Sequence, residues 1–305
     1  MFAFQNFFKP LDGFGNRHVN TGNVGKDFAD MERLGQKTLY AAGAHPLVVV
    51  GWRAIIAASA LAGILTWRSP ALLRIPRSQI AYFVLYGLVV AANYACYFLA
   101  LHRMPVAVAI ILLYTYPAFT ALGARAFFRE PIDLSKAAAI VLTFAGIVLI
   151  AGGDRAQAAR VDPAGLLLGL GAGLTMAAYS LLGKRATRSL SPWTTALYSF
   201  AFAAVWLTLA QGSAMGAAFR YTPPMWIGLL YLGLGPTLMA YGMFLWAVQR
   251  VEVSRASLWS TLEPLLAALL AFVVLGEAIR PVQMLGGGLV LMGVAILQWR
   301  KAESR

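Results

Sequence analysis

PAFTALGARAFFRE (residues 117–130) and PLLAALLAFVVLGE (residues 264–277) are two copies of one apolar segment, and they decide the fold. A proline opens each stretch, and a glutamate closes each one thirteen residues later. Extending outward, residues 94–150 align with residues 241–297 at a constant offset of 147, with thirteen of fifty-seven positions identical. Shared apolar residues carry little weight in so apolar a chain, but the shared proline and glutamate indicate an internal duplication.

The composition indicates a membrane protein with many spans. Of the 305 residues, 60% are hydrophobic and 12% are charged, whereas a soluble domain has about 25% charged residues. Apolar runs long enough to cross a bilayer recur along most of the chain, so the predicted fold class is an all-α integral membrane protein. Proline, glycine and charged residues separate nine predicted spans: 45–67, 79–101, 105–128, 134–152, 164–183, 192–212, 224–247, 254–275 and 281–299.

The loops between these spans carry unequal positive charge. One set of alternating loops holds fourteen Lys and Arg residues, and the other set holds five. The richer side is expected to be cytoplasmic, which places the C-terminus inside the cell. Equivalent spans of the two copies, such as 105–128 and 254–275, lie five spans apart, and an odd separation reverses their direction across the membrane. The copies are therefore predicted to be inverted repeats related by a pseudo-two-fold axis in the membrane plane.

The first 43 residues depart from this pattern. Two complete five-helix repeats would give ten helices, but the segment expected to hold the first helix is polar and carries five basic residues. Three explanations compete: an external tail ahead of nine spans, an altered gene start or reading frame, or a surface segment whose missing helix is replaced by a partner. We divide the chain into an atypical N-terminal segment, two repeats and a cytoplasmic tail: residues 1–43, 44–153, 164–300 and 301–305.

Several classes of chemistry lack the residues that they need. The only cysteine is Cys96, which lies in an apolar run, and the three histidines are scattered, so neither a disulfide nor a metal-ligand spacing is present. No phosphate-binding loop, zinc-protease or serine-hydrolase motif occurs. We expect no enzyme activity, no cofactor and no metal. The net charge of +13 is assigned to membrane topology, and no nucleic-acid partner is expected.

Two charged residues lie deep inside predicted spans. Arg53 is about 12 Å from the outer end of its helix, and Glu263 is about 13 Å from the inner end of its own, at a rise of 1.5 Å per residue. Ionisable groups inside a membrane are costly and usually face a partner or a cavity. In one interpretation, Arg53 and Glu263 form a structural ion pair. In a second, they serve as a counter-charge for the substrate and as a carboxylate that couples transport to protons. In a third, which concerns Arg53 alone, its side chain extends outward to the membrane surface.

Aromatic and small polar side chains crowd the same spans. Pro117 and Pro264 each remove a backbone hydrogen bond, which predicts helix kinks beside a cavity, and simple packing kinks are the alternative. A polar face on a membrane helix is expected to look inward. The candidate residues that line the cavity and bind substrate are Tyr94, Tyr97, Tyr114, Tyr241, Trp259, Thr261 and Glu263.

The paired patterns Pro117…Glu130 and Pro264…Glu277 resemble the EamA-type branch of the drug/metabolite transporter superfamily. The resemblance covers about residues 34–299 and includes similarity to bacterial amino-acid exporters. It implies ten helices with both termini in the cytoplasm and a central cavity between the halves that opens alternately to either side. It also implies export of amino acids or related metabolites across the bacterial inner membrane.

Together, the duplication and the resemblance predict a secondary transporter. The favoured interpretation is an exporter of small metabolites, above all amino acids with aromatic or other apolar side chains, embedded in the lipid bilayer of the bacterial inner membrane. Two alternatives stay open: an uptake permease for a similar solute, and a membrane scaffold or partner subunit that does not transport. The residues do not decide between a monomer and a homodimer.

The charge count makes the topology testable. A cysteine introduced by Arg74→Cys in a Cys96→Ser background should resist an impermeant thiol reagent added to intact cells, because its loop is predicted to be cytoplasmic. Strong labelling of this cysteine in intact cells would overturn the topology. A Lys26→Cys variant tests the N-terminal segment, because nine spans ending inside require Lys26 to be outside and therefore labelled.

Overall fold

The computed structural model describes residues 45–104, 106–150, 163–266, 269 and 281–303. Six described helices are long and apolar enough to cross a membrane, and two apolar helices are shorter. The predicted all-helical membrane fold is therefore confirmed, while the predicted N-terminal segment 1–43 and Glu277 lie outside the described residues. The α-helices are α1 (Pro46–Arg68), α2 (Ile80–Leu101), α3 (Val106–Leu113), α4 (Tyr116–Phe128), α5 (Leu134–Ile150), α6 (Pro163–Ala186), α7 (Pro192–Gln211), α8 (Pro223–Leu232), α9 (Ala240–Arg250), α10 (Val253–Trp259) and α11 (Pro281–Glu303).

Two spans predicted as continuous are interrupted by a turn that ends two residues before Pro117 and three residues before Pro264. The span predicted at 105–128 consists of α3 and α4 with a turn at 114–115, and the span predicted at 254–275 turns at 260–261 after α10. Proline lacks an N–H and its ring clashes with the carbonyl four residues earlier, so the helix breaks there. Threonine hydroxyls donate to the last carbonyls before each break, from Thr115 to Leu112 and from Thr261 to Leu258.

The contacts of two glycines show the duplication in three dimensions. Gly87 of α2 packs against Phe202 of α7, and Gly233 packs against Ile56 of α1. These contacts exchange under an offset of 146 residues, which also relates the prolines that open α1 and α7. The two halves therefore pack on each other through equivalent surfaces.

A π-helix, Gly233–Met239, joins α8 to α9, and the corresponding part of α2 is regular α-helix. Gly87 and Gly233 are related by an offset of 146, but Tyr94 and Tyr241 are related by 147. The second repeat therefore has one inserted residue between Gly233 and Tyr241. A π-turn holds one more residue than an α-turn, so it absorbs this insertion, and Pro236 inside it removes a further helical hydrogen bond.

Helices α5 and α11 approach each other through glycine. A Cβ atom on Gly146 would lie 2.5 Å from the Gly286 carbonyl oxygen, and a Cβ on Gly293 would lie 3.1 Å from the Ala139 carbonyl oxygen. These two contacts exchange under the offset of 147, so the pair is locally two-fold symmetric. Small residues let membrane helices pack at backbone distance, which the glycine-rich start of α11 permits.

Substitution on α11 tests this packing. Gly286→Ala should lower the free energy of unfolding in detergent by about 1–3 kcal/mol, because its Cβ would stand 2.6 Å from the Gly146 carbonyl oxygen. Gly288 is the matched control on the same helix, since a Cβ there meets nothing within 4 Å. Gly288→Ala should therefore change stability by no more than about 0.5 kcal/mol. Equal effects of the two changes on thermal unfolding would contradict the packing.

Candidate functional site

Two equivalent tyrosines meet at the centre of the repeat interface. Tyr94 lies on α2, and Tyr241 lies at the equivalent position of the other repeat, on α9. Their ring centroids are 6.3 Å apart, which is the range of packed aromatic pairs. Because a residue contacts its own equivalent only close to the symmetry axis, the pseudo-two-fold axis passes near this pair.

Further aromatic rings extend from Tyr241. The ring centroid of Tyr179 on α6 lies 5.2 Å from that of Tyr241, in an edge-on arrangement, and 5.4 Å from that of Tyr86. The ring centroid of Phe200 on α7 lies 6.0 Å from that of Tyr241. Sequence reasoning did not select Tyr86, Tyr179 or Phe200. Their mid-span positions were a signal, but nothing in the one-dimensional pattern indicates that α6 and α7 turn these rings towards α9.

Arg53 reaches the same centre from α1. Its guanidinium carbon lies 5.9 Å from the Tyr94 ring centroid, and its Nε donates a hydrogen bond to Thr237 Oγ1 at 3.1 Å. The Thr237 hydroxyl in turn donates to the Leu232 carbonyl at 2.8 Å. Thr237 was also missed, although the sequence Gly233-Leu-Gly-Pro236 just before it signals an interrupted helix.

Glu263 contacts the opposite repeat beside the turn at 260–261. Tyr114 Oη donates to Glu263 Oε2 at 3.1 Å, and Tyr116 Oη donates to the Ser257 carbonyl at 2.9 Å. The Tyr114 and Tyr116 rings are 5.9 Å apart. The two interrupted spans are therefore joined by tyrosine hydroxyls at the level of their breaks.

The other predicted residues are less closely associated with this centre. Thr261 is fully buried and donates its hydroxyl to the Leu258 carbonyl of its own span, Trp259 is 46% exposed, and the Tyr97 and Phe98 ring centroids are 5.6 Å apart. Arg53 and Glu263 are hydrogen-bonded to different groups. Their direct ion pair stays a prediction. Each of the two charged side chains nevertheless contacts a tyrosine of the repeat interface, Arg53 at Tyr94 and Glu263 at Tyr114.

A polar cluster joins the two repeats at one end of the bundle. Glu130, which follows α4, accepts hydrogen bonds from the backbone N–H groups of Val253 and Ser254 and from the Ser254 hydroxyl. The carboxylate thereby satisfies free N–H groups at the start of α10, where a negative charge is also favoured by the helix dipole. In the sequence, Glu130 stands out only as part of a motif, because its partner lies 123 residues away.

Two lysines complete this cluster, which we call the loop-end network: Glu130, Lys136, Lys184 and Glu252. Lys184 Nζ donates to the Val248 and Val251 carbonyls at 2.7 Å each, and so satisfies the C-terminal end of α9. The buried ammonium of Lys136 lies 2.9 Å from Glu252 and 3.9 Å from Glu130. Positive charge at a helix C-terminus and negative charge at a helix N-terminus are both the favourable arrangement.

Glu252 has a pKa that is shifted by its place in the network. Partial burial favours its neutral form, but hydrogen bonds from Lys136 and Arg255 outweigh that effect and lower its pKa below the ordinary value. A lowered carboxylate pKa contributes stability at neutral pH that is lost as the pH falls through the folded-state pKa. The network is therefore complete at physiological pH.

These features define a multi-pass membrane protein of two helical repeats with interrupted helices at their interface, which is the architecture of secondary transporters. The model of the EamA-like transporter family matches residues 34–152 and 163–299. The chain belongs to this family. Within the described ranges, no group of three or more His, Cys, Asp or Glu side chains is placed to hold a metal ion.

Individual relatives include proteins described as exporters. The chain is 28% identical over 228 residues to "Threonine/homoserine exporter RhtA" of Escherichia coli K12, covering 74% of this chain and 72% of that protein. It is 28% identical over 212 residues to "Uncharacterized transporter" of Archaeoglobus fulgidus, covering 68% and 72%. It is 33% identical over 159 residues to "Uncharacterized transporter YwfM" of Bacillus subtilis, covering 52% and 53%.

A solved structure described only as "Crystal structure of protein" has the same fold. It superposes with a TM-score of 0.73 at 21% identity, covering 92% of this chain and 97% of that chain.

The hydrogen bonds of Glu130 predict a loss of stability when its side chain is removed. Glu130→Ala should lower the free energy of unfolding by about 1–2 kcal/mol, because it removes the acceptor for the first N–H groups of α10. Arg125→Ala is the matched control, since it removes an exposed charge on the same helix end and should change stability by less than about 0.5 kcal/mol. Thermal unfolding in detergent measures both. Equal stability of the two variants would show that the Glu130 hydrogen bonds do not hold the repeats together.

Proposed function

We propose that this protein exports small metabolites, chiefly amino acids with aromatic or other apolar side chains, by alternating access. The observation that carries the proposal is the aromatic centre at the repeat interface, where Arg53 lies 5.9 Å from the Tyr94 ring and Glu263 accepts a hydrogen bond from Tyr114. Aromatic residues around a binding site favour substrates with apolar side chains, because binding removes apolar surface from water. The opposite charges of Arg53 and Glu263 match the two charges of a zwitterion. The relative described as a threonine/homoserine exporter supports amino acids as the class of substrate.

Alternating access requires a seal that forms and breaks. The loop-end network suits that role because its hydrogen bonds run between repeats, from Glu130 of the first repeat to α10 of the second. These loops belong to the set that carries more positive charge, which assigns them to the cytoplasmic side of a bacterial inner membrane, with the C-terminus on the same side. Opening towards the cytoplasm would separate Glu130 from α10 and admit substrate to the tyrosine centre.

Glu263 is assigned to substrate binding. Its carboxylate accepts a hydrogen bond from Tyr114 of the other repeat, so it lies at the interface that must change during transport. A substrate ammonium group would add a charge-assisted hydrogen bond to the same carboxylate. The proposal therefore places the amino group of the substrate near Glu263, Tyr114 and Tyr97.

Counterflow in proteoliposomes tests the function. We expect labelled L-phenylalanine or L-threonine to exchange, and glucose 6-phosphate and a nucleotide sugar not to exchange, because no cluster of basic side chains stands at the tyrosine centre within the described residues. Glu263→Gln should reduce amino-acid exchange at least about tenfold, as expected for loss of a charge-assisted contact. Glu263→Asp keeps the charge and should recover part of the exchange.

Two results would overturn this proposal. One is robust counterflow of a nucleotide sugar with none of any amino acid. The other, which bears on Glu263 alone, is normal exchange by Glu263→Gln protein whose thermal stability equals that of the unmodified chain.

A further inference from the structure

The geometry points to a carboxylate-binding subsite formed by Arg53, Thr237 and Tyr94, which holds the α-carboxylate of the transported amino acid. This inference rests on the proposed function and adds to it the orientation of the substrate. It assigns the carboxylate to the junction of α1 with the π-helix and leaves the amino group on the Glu263 side.

The first support is the way in which Arg53 is held. Its Nε is occupied by Thr237 Oγ1, and the Thr237 hydroxyl is fixed in turn by the Leu232 carbonyl. In the part of the chain that the structure describes, the two terminal nitrogens of Arg53 make no hydrogen bond. A guanidinium fixed through one nitrogen presents its remaining N–H groups in a rigid fork, which matches the two oxygens of a carboxylate.

The second support is the setting of this charge. Arg53 lies mid-span in α1, where a cation is costly unless a counter-charge or a polar site accompanies it. The equivalent residue of the second repeat, at the offset of 146, is Ser199, whose hydroxyl donates to Ala196 of its own helix. A small neutral residue therefore satisfies the fold at this position, so packing does not account for an arginine in the first repeat.

The third support is an unmet hydroxyl beside Arg53. Tyr94 is only 5% exposed, and its Oη has no hydrogen-bond partner within the described residues, although it lies near the Thr237 and Tyr241 hydroxyls. Buried polar atoms in folded proteins are almost always hydrogen-bonded, and exceptions call for an explanation such as a ligand. A carboxylate on the Arg53 fork would give this phenol an acceptor.

The π-helix explains how the three groups come together. Because the inserted residue is absorbed between Gly233 and Tyr241, Tyr241 keeps its place opposite Tyr94 while Thr237 faces α1. π-turns are frequent at functional sites for this reason. The first repeat, which lacks the π-turn in α2, has Val90 or Ala91 where Thr237 stands, and so lacks the corresponding hydroxyl.

The chemistry selects a carboxylate over other anions. Arg53 lies against Tyr94 and Glu263 is hydrogen-bonded to Tyr114, so the tyrosines of the interface contact one positive and one negative side chain. A dianionic phosphate would be attracted by Arg53 and repelled by Glu263. An α-amino acid carries the two opposite charges on adjacent groups and satisfies both side chains at once.

Binding measurements on the purified full chain test the subsite. L-Phenylalanine and L-threonine are each compared with their carboxamides, which keep the shape and the amino group but lack the carboxylate charge. We expect the unmodified protein to prefer the acids about tenfold or more. Arg53→Gln should weaken binding of the acids by about ten- to a hundredfold and bind the carboxamides within about threefold of normal. Arg68→Gln, on the exposed end of the same helix, is the matched control and should behave as the unmodified protein.

Two further variants keep the test decisive if Arg53→Gln fails to fold. Tyr94→Phe removes only the unmet hydroxyl, and Thr237→Val removes the acceptor that fixes Arg53 together with the hydrogen bond to the Leu232 carbonyl. Each should reduce the preference for the acid over the carboxamide. A full preference for the acids in Arg53→Gln, or in both other variants, overturns the subsite but leaves amino-acid export standing. Failure of the unmodified protein to bind any of the twenty amino acids overturns the proposed function, and the subsite with it.

Discussion

Backbone hydrogen bonding in an apolar surrounding is the constraint on which the rest of this structure depends. A helix that breaks inside a membrane protein exposes N–H and C=O groups that lipid does not satisfy, so protein side chains must do so. Each described break has such partners. Threonine hydroxyls donate hydrogen bonds to carbonyls beside both proline turns and in the π-helix. At the junction of α9 with α10, Lys184 donates hydrogen bonds to the carbonyls, and Glu130 accepts hydrogen bonds from the N–H groups.

This constraint explains why polar residues cluster at the repeat interface. Some carbonyls at the breaks are satisfied by threonines of the same span, and others by the opposite repeat, as when Tyr116 donates to the Ser257 carbonyl. The interface is the place where helices of both repeats converge and can supply such groups. Once such a polar centre exists within a low-dielectric surrounding, charges placed there interact strongly. Arg53 of the first repeat contacts Tyr94, and Glu263 of the second repeat accepts a hydrogen bond from Tyr114, so both charges lie beside tyrosines of the interface.

Much of this architecture could be predicted from the sequence. Apolar length predicts the helices, and the shared proline and glutamate predict the duplication. Tyr94, Tyr241, Tyr114 and Glu263 were selected because polar tips in mid-span are expected to face inward, and the structure places all four at contacts between the repeats. The signal was strong because membrane helices have few polar residues.

Other parts could not be predicted in this way, because the face that a helix turns towards its neighbour depends on packing. The central position of Tyr179 in an apolar helix was therefore not visible, and the partners of Glu130 were hidden because backbone N–H groups leave no complementary residue in the sequence.

The inserted residue in the π-helix has a consequence for the history and the direction of the protein. In the sequence, this residue only changes the offset between equivalent positions of the two repeats from 146 to 147. The change can be interpreted because Gly87 and Gly233 make equivalent contacts in the structure. Two identical halves would make the two faces of the protein interchangeable, and any bound molecule would meet the same groups from either side. The extra residue is present in the second copy and absent from the regular helix α2, so this difference arose after the duplication. With Thr237 beside Arg53 in one half and no counterpart in the other, the ancestral equivalence of inside and outside is lost.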